Sequence, residues 1–326
     1  MLYNVKAGVI GLEQLGKKMA VLVNDHVKNL NLIAACGRTQ KELLYAKNDL
    51  SLEYVYSDEA ALFENHDVDA LFIFSDPRYR AHQAIQAIDK GKHVFLMNPM
   101  ALNVDDATEV FRTAASHPSQ TIMCASPVRS NHQLQKAIEI GNNHNLGALE
   151  WISADEGFIN SIRKEATQSS GSLYLDRLLD EIEMCLMLDE RKVEKVHVRR
   201  YAGHRVAEAI IGDLTVWRLI LSKEGTVSSG KLTIQYAEGR VEASSTNADL
   251  LRVVDGEGNR FSVSSRKEFA FSFPAYEQIH HFTQCILGKE KNGLPVSASL
   301  DSMRLALAFE KSDVLGEPVE LDWPAK

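Results

Sequence analysis

The sequence predicts an α/β chain: a doubly wound parallel sheet in an N-terminal domain, then an α+β domain whose sheet is mostly antiparallel. Three observations predict it. Short continuous apolar runs alternate with helical patterns over the first 124 residues. Beyond them, strand patterns follow one another through tight turns. A length of 326 residues is enough for two domains with separate cores.

In the first part, the run 6–10 precedes a helical pattern over 15–23, and 32–36 precedes 41–46. The short piece 54–56 precedes 60–64, 70–74 precedes 81–89, 93–96 precedes 106–115, and 121–124 closes the series. Apolar strands without polar alternation are buried on both faces, which is the condition of a parallel sheet covered by helices.

The second part begins with a helical pattern over 133–140, ended by the polar turn Gly141-Asn142-Asn143-His144-Asn145. The stretch 148–154 alternates like a strand, and 173–188 reads as one helix. Strand patterns follow at 196–200, 213–221, 231–236, 240–245, 250–254 and 260–264. Ala237-Glu238-Gly239 and Asp255-Gly256-Glu257-Gly258 read as hairpin turns, so these neighbours pair antiparallel. Helical patterns over 276–287 and 299–312 finish the chain. The expected domains are 1–124 and 125–326.

A formal net charge of −8, without a basic stripe interleaved with aromatics, argues against nucleic-acid binding. Cys36, Cys124, Cys185 and Cys285 are far apart and form no Cys-x-x-Cys or Cys/His cluster, so free thiols are expected and no metal site. The N-terminus runs straight into a strand pattern. No signal peptide or membrane-length apolar span is read, so the expected location is cytoplasmic and off the membrane.

The first strand-to-helix turn reads Gly8-Val9-Ile10-Gly11-Leu12-Glu13-Gln14-Leu15-Gly16. A Rossmann dinucleotide fingerprint wants three glycines here: one for the tight turn, one for approach to the pyrophosphate, one for helix–strand packing. Gly11 and Gly16 fit the first and third positions, and Glu13 occupies the second. Its side chain crowds the phosphates, and its charge opposes an anion at a helix N-terminus. The plain alternative is that the two glycines serve folding alone. The second strand ends Cys36-Gly37-Arg38-Thr39. Gly37 stands where an NAD site usually has a ribose-binding acid, and Arg38 with Thr39 suits a 2′-phosphate, which tilts the expectation towards NADP. Against this, Arg38 reads equally well as a solvated residue entering the next helix.

With these motifs the chain resembles the Gfo/Idh/MocA family of NAD(P)-dependent oxidoreductases, in its inositol-dehydrogenase-like branch. The resemblance covers nearly the whole chain. It rests on residues 8–16, residues 68–74 ending in Ser75-Asp76-Pro77, and residues 91–99 ending Met97-Asn98-Pro99. Further along it rests on Gly171-Ser172-Leu173-Tyr174-Leu175-Asp176, Glu277-Gln278-Ile279-His280-His281-Phe282, and residues 299–312 with Gly316-Glu317-Pro318-Val319. It implies a large open sheet in the second domain, homodimers or homotetramers formed through that sheet, and a small-molecule sugar, polyol or related secondary alcohol as substrate. It implies a cofactor site at Gly11, Leu12, Glu13, Gln14, Leu15, Gly37, Arg38, Thr39, Ser75, Asp76, Pro77, Met97 and Asn98. It also implies substrate contacts from Arg129, Asp176 and Asp180.

The chain departs from the family at its proton-handling points. The family's Glu-Lys-Pro is Met97-Asn98-Pro99, and an amide is no base near neutral pH. The family's catalytic His falls on Asp180, and a later Asp on Glu183. A family His facing cofactor or substrate falls on Arg80, while His82 belongs to a helix surface. In an unbroken helix, Asp176, Asp180 and Glu183 share one face at i, i+4 and i+7. Carboxylates so grouped raise one another's pKa, and Asp180 is the candidate substitute base. The expected catalytic set is therefore Asn98, Asp176 and Asp180. The bland alternative is a solvated acidic face, or acids paired with Arg177 and Arg129. Tyr174 is expected to be a packed residue. A second functional reading is a catalytically inactive ligand-binding or regulatory protein on the same scaffold.

Overall fold

The structure is a computed structural model describing residues 4–126, 128, 131–143, 146–156, 158, 172–221, 230–245, 250–264, 274–293 and 295–323. The side chains of Gln14, Leu15, His26, Asn143, Leu173, Asp176, Leu250 and Pro274 lie outside the description. The chain forms two compact units. Among the described residues, one holds 4–126 and 274–300, the other 128–158, 172–264 and 301–323.

The first unit alternates strand and helix: β1 (Val5–Ile10), α1 (Gln14–His26), β2 (Leu30–Cys36), α2 (Gln40–Asn48), β3 (Tyr54–Tyr56), α3 (Glu59–Phe63), β4 (Ala70–Ile73), α4 (Pro77–Asp89), β5 (His93–Leu96), α5 (Val104–Ser116) and β6 (Ile122–Cys124). Their order in the sheet is β3-β2-β1-β4-β5-β6, all parallel. The order reverses between β1 and β4, the switch point where open α/β sheets bind ligands. Helix starts follow from side-chain chemistry. Thr39 and Glu42 form a capping box on α2. Asp76 caps α4, with Pro77 in its first turn, and Asn103 caps α5.

The aromatic heart of this unit is Phe72, Phe95 and Phe282, with ring centroids 5.5–5.6 Å apart. Phe282 comes from α9 (Pro274–Ile286), which follows eight of the second sheet's strands in sequence yet packs in the first unit. Lys92 is buried with its Nζ donating to Asn65 O (2.7 Å) and Val68 O (2.8 Å), so the lysine at the start of β5 is structural. Burial holds the pKa of this lysine down.

The second unit holds α6 (His132–Asn143), β7 (Leu149–Asp155), α7 (Leu173–Arg177), α8 (Leu179–Leu188), β8 (Lys195–Tyr201), β9 (His204–Ile211), β10 (Leu214–Leu221), β11 (Lys231–Tyr236), β12 (Gly239–Ser244), β13 (Leu250–Val254), β14 (Arg260–Ser264) and β15 (Val319–Glu320). Helix α10 (Val296–Leu315) begins in the first unit and ends in the second. Among the described residues the sheet has nine strands, β14-β13-β12-β11-β7-β10-β9-β8-β15, with β7/β10 parallel and the other pairs antiparallel. Register places Val196, Ala209, Trp217, Ile152, Ile234, Val241 and Val253 in one buried row across seven strands. The adjacent row on the other face is polar: Glu208, Arg218, Ser153, Thr233, Glu242 and Arg252. A two-faced antiparallel sheet needs that alternation.

Three expectations are corrected. The turn expected from Gly141 does not start there: α6 runs on through Asn143, so Gly141 lies inside the helix. A Cβ on Gly141 would stand 2.1 Å from the Tyr236 hydroxyl oxygen, so this glycine permits close packing rather than a turn. The helix at 173–188 is two helices, broken at Leu178 (φ −117°, ψ −4°), and the even i, i+4, i+7 spacing of its acids does not hold across the break. Strand β9 is additional. Its hairpin to β8 turns at Ala202 (φ 45°) and Gly203 (φ 89°), a left-handed pair that Ala-Gly signals less clearly than Asn-Gly.

His93 links the fold to pH. Its Nδ1 accepts from the Thr121 amide (2.8 Å), and burial pushes its pKa below the ordinary 6.5. The unfolded chain therefore takes up this proton first as pH falls. The stability His93 contributes is complete above pH 6.5 and is lost below it. Melting temperatures between pH 7.5 and pH 5 should fall more steeply for the native chain than for His93→Gln; equal slopes would remove His93 from the linkage.

Candidate functional site

One group of candidate residues is built at the switch point of the first unit. Gly11 turns with φ +89°, and a Cβ there would stand 2.6 Å from Ser75 N. A Cβ on Gly16 would stand 1.9 Å from Gly11 O. The β1–α1 turn thus lies against both its own helix and the β4–α4 turn, an approach only glycine allows. Leu12 is fully buried, so its side chain belongs to the core and only its backbone is left for a ligand. Glu13 has ordinary extended backbone (φ −73°, ψ −174°), is exposed, and makes no side-chain cap on α1. The backbone at position 13 therefore does not demand glycine, and the helix N-terminus keeps no capping carboxylate from this residue. The backbones of Gln14 and Leu15 open α1.

Around this turn, Ser75 is buried, with its hydroxyl donating to Gln83 Oε1. Asp76 caps α4 and pairs with Arg78, whose hydrogen bond holds the carboxyl below its usual range. Arg80 is 2% exposed. Its Nε donates to Ser75 O (2.7 Å) and its Nη1 to Pro99 O (3.0 Å) and Met97 O (3.4 Å). The residue aligned with a ligand-facing His thus clamps the two loops that leave β4 and β5. The sequence signal for it was position alone. Met97 is half-buried against the first core, and Asn98 joins Pro99 through a cis peptide. Asn98 is 4% exposed, and its Oδ1 accepts from the Cys124 thiol (3.0 Å).

The structure brings Gly11, Ser75, Asp76, Pro77, Met97 and Asn98 to the C-terminal ends of β1, β4 and β5. Gly37, Arg38 and Thr39 gather at the end of β2. There Thr39 Oγ1 accepts from Glu42 N (3.2 Å), and the Arg38 guanidinium lies 3.8 Å over the Tyr79 ring.

A separate group of candidate residues lies in the other unit. Arg129 falls outside the described residues, and of Asp176 only the backbone, in α7, is described. Asp180 (1% exposed), Glu181 (0%) and Glu183 (3%) are buried in α8. Asp180 and Glu183 are therefore not part of a solvated face. The Arg177 guanidinium pairs with Glu156. Tyr174 is packed on Phe309, with centroids 6.3 Å apart, and burial raises its pKa far above neutrality. At the far end of α8, buried Asp189 accepts from Trp217 Nε1 (2.8 Å) and Arg191 Nε (2.8 Å), anchoring the helix to the sheet.

The sheet order, the switch-point turn and the two-glycine cradle define a Rossmann-type fold in the first unit. Residues 5–124 match the family model described as an oxidoreductase family with NAD-binding Rossmann fold, Gfo/Idh/MocA. The match spans the six strands of the parallel sheet and none of the second unit. An oxidoreductase of Bacillus subtilis known as YrbE, of uncharacterized activity, is 22% identical over all of this chain and 99% of its own length. Myo-inositol 2-dehydrogenase of Thermotoga maritima is 23% identical over 93% of each chain. A scyllo-inositol dehydrogenase from Lactobacillus casei, solved with NAD(H) and scyllo-inositol, superposes with a TM-score of 0.79. It covers 97% of this chain and 99% of that one, at 22% identity. The likeness in structure carries the fold. Among the described residues, no helix is long and apolar enough to cross a membrane.

The cradle sets a stability test. Gly16→Ala places its methyl against Gly11 O and should cost about 3 kcal/mol. Urea denaturation checks it, and a cost within experimental error would show that the turn can relax.

Proposed function

We propose that the chain is an NAD(P)-dependent oxidoreductase acting on a sugar, an inositol-like polyol or a related secondary alcohol, with an altered set of proton-transfer groups. The observation that carries this reading is the intact turn at the switch point. Gly11 and Gly16 keep the close backbone approach that a dinucleotide site needs, and the N-terminus of α1 lacks a side-chain cap from Glu13. These residues fit a dinucleotide. The backbone of 11–15 would hold its pyrophosphate, residues 37–39 its adenosine end, and residues 75–77 with 97–98 its nicotinamide end. When bound, it supplies the hydride acceptor or donor.

The remaining work falls to this chain. Asn98 positions through hydrogen bonds and moves no proton. Asp180 stands at the family's His position and is the proposed base, with Asp176 and Arg129 orienting the substrate. Buried, grouped carboxylates are the setting in which one such group takes and returns a proton near neutrality. The mostly antiparallel sheet is the proposed surface for a homodimer or homotetramer.

One observation favours a second reading, a ligand-binding or regulatory protein without catalysis. The Asn98 amide oxygen is buried and accepts from Cys124, inside the sheet end where the family holds a lysine.

Titration with NADH and NADPH, followed by a panel of polyols and keto-sugars, separates the two. Binding with turnover supports the enzyme. Binding without turnover supports the regulatory reading, and no binding at millimolar cofactor overturns the first. In an active preparation, Asp180→Asn should lower kcat about 10²-fold while cofactor affinity stays unchanged. An unchanged kcat would remove Asp180 from the proton path.

A further inference from the structure

The end of β2 carries more acid than the residues 37–39 reveal. A Cβ on Gly37 would stand 2.8 Å from the Glu42 Cβ, so the Glu42 side chain already fills the place of an acid at position 37. Glu42 Oε2 accepts from both Arg38 N (2.7 Å) and Thr39 N (3.0 Å), the amides that would otherwise face an anion. Arg38 has its own counter-charge. Its Nη2 lies 3.4 Å from Glu59 Oε1, and its guanidinium is stacked on Tyr79. Gln83 Nε2 fixes the same Glu59 oxygen at 2.7 Å, so the acid is positioned rather than swinging in solvent. Asp58 stands beside it as the cap of α3. The Cys36 thiol at the strand end reports the local field: burial first, then Glu59 and Asp58, push it up to about 12, with only Arg38 opposing.

We propose that this rim selects a dinucleotide with a free 2′-hydroxyl, NAD rather than NADP, and that Glu42 and Glu59 are the discriminating residues. The inference rests on the dinucleotide reading above and reverses the tilt towards NADP drawn from Gly37, Arg38 and Thr39 alone. A 2′-phosphate would meet two fixed carboxylates against one guanidinium, with the Arg38 and Thr39 amides already occupied. A ribose hydroxyl meets acceptors instead, as it does where an acid ends the second strand. Repulsion of this kind discriminates by disfavouring the wrong ligand, not by tightening the right one.

The test is fluorescence titration of the full chain with NADH and NADPH, which needs no substrate. NADH should bind at least about tenfold more tightly, and Glu59→Gln should narrow that ratio about threefold or more. The carboxamide keeps an oxygen for Gln83, and melting temperature checks that the variant is folded. Raising ionic strength from about 0.01 M to about 0.3 M should also narrow the native ratio, because screening weakens repulsion. This arm needs no variant. Equal or tighter NADPH binding, or a ratio that widens with salt, would overturn the selection while leaving the oxidoreductase reading in place. A folded Glu59→Gln that keeps the native ratio would remove Glu59 as a determinant. Binding of neither cofactor would overturn both.

Discussion

The contact between two turns at the centre of the first sheet governs what the rest of the protein can be. Gly11 lies against the backbone of Ser75, and Gly16 against the carbonyl of Gly11. Neither position has room for a methyl group. From that contact follow the seating of α1 on β1 and the placement of the Ser75–Pro77 turn. Arg80 extends the same construction, since its buried guanidinium ties the Ser75 carbonyl to those of Met97 and Pro99. The rim around the proposed nicotinamide end is thus set by backbone groups, and the family's side chains can change there without the loops losing their support.

Most of the first unit was legible because parallel strands buried on both faces write themselves as unbroken apolar runs. The strands 54–56 and 93–96 were read with the bounds the structure gives them, while helix ends slipped by a few residues where caps rather than periodicity decide them. Strand β9 escaped because an Ala-Gly pair made its turn. The break at Leu178 escaped because apolar periodicity continues across it. The destination of α9 was not legible at all. An amphipathic pattern shows that a helix has a partner, not which sheet supplies it.

The candidate site was legible in unequal parts. Glycine spacing marked the β1–α1 turn because only backbone geometry is at stake there. The spacing of the α8 acids showed that they group, but not their burial, because charged residues at helical spacing read the same on a solvated face as on a buried one. At the end of β2 the local string Gly37-Arg38-Thr39 shows only one of the charges gathered there. Its neighbours in space, Glu42 and Glu59, come from the next turn of helix and from beyond the next strand. A site's net field is a sum over spatial neighbours, and sequence shows only the covalent ones.

The return of α9 to the first unit has a consequence for how the molecule can be divided. Phe282 fills the face of the parallel sheet formed by Phe72 and Phe95, and Asn292 reaches the carbonyl of Ile122 from the segment after that helix (2.9 Å). A gene fragment ending at Ser126 would encode every strand of the nucleotide-type sheet and still leave uncovered the part of one face where Phe282 sits. The module that evolution could shuffle as a unit is therefore not a contiguous stretch of chain. It is a discontinuous one, finished only after most of the second sheet has been synthesised.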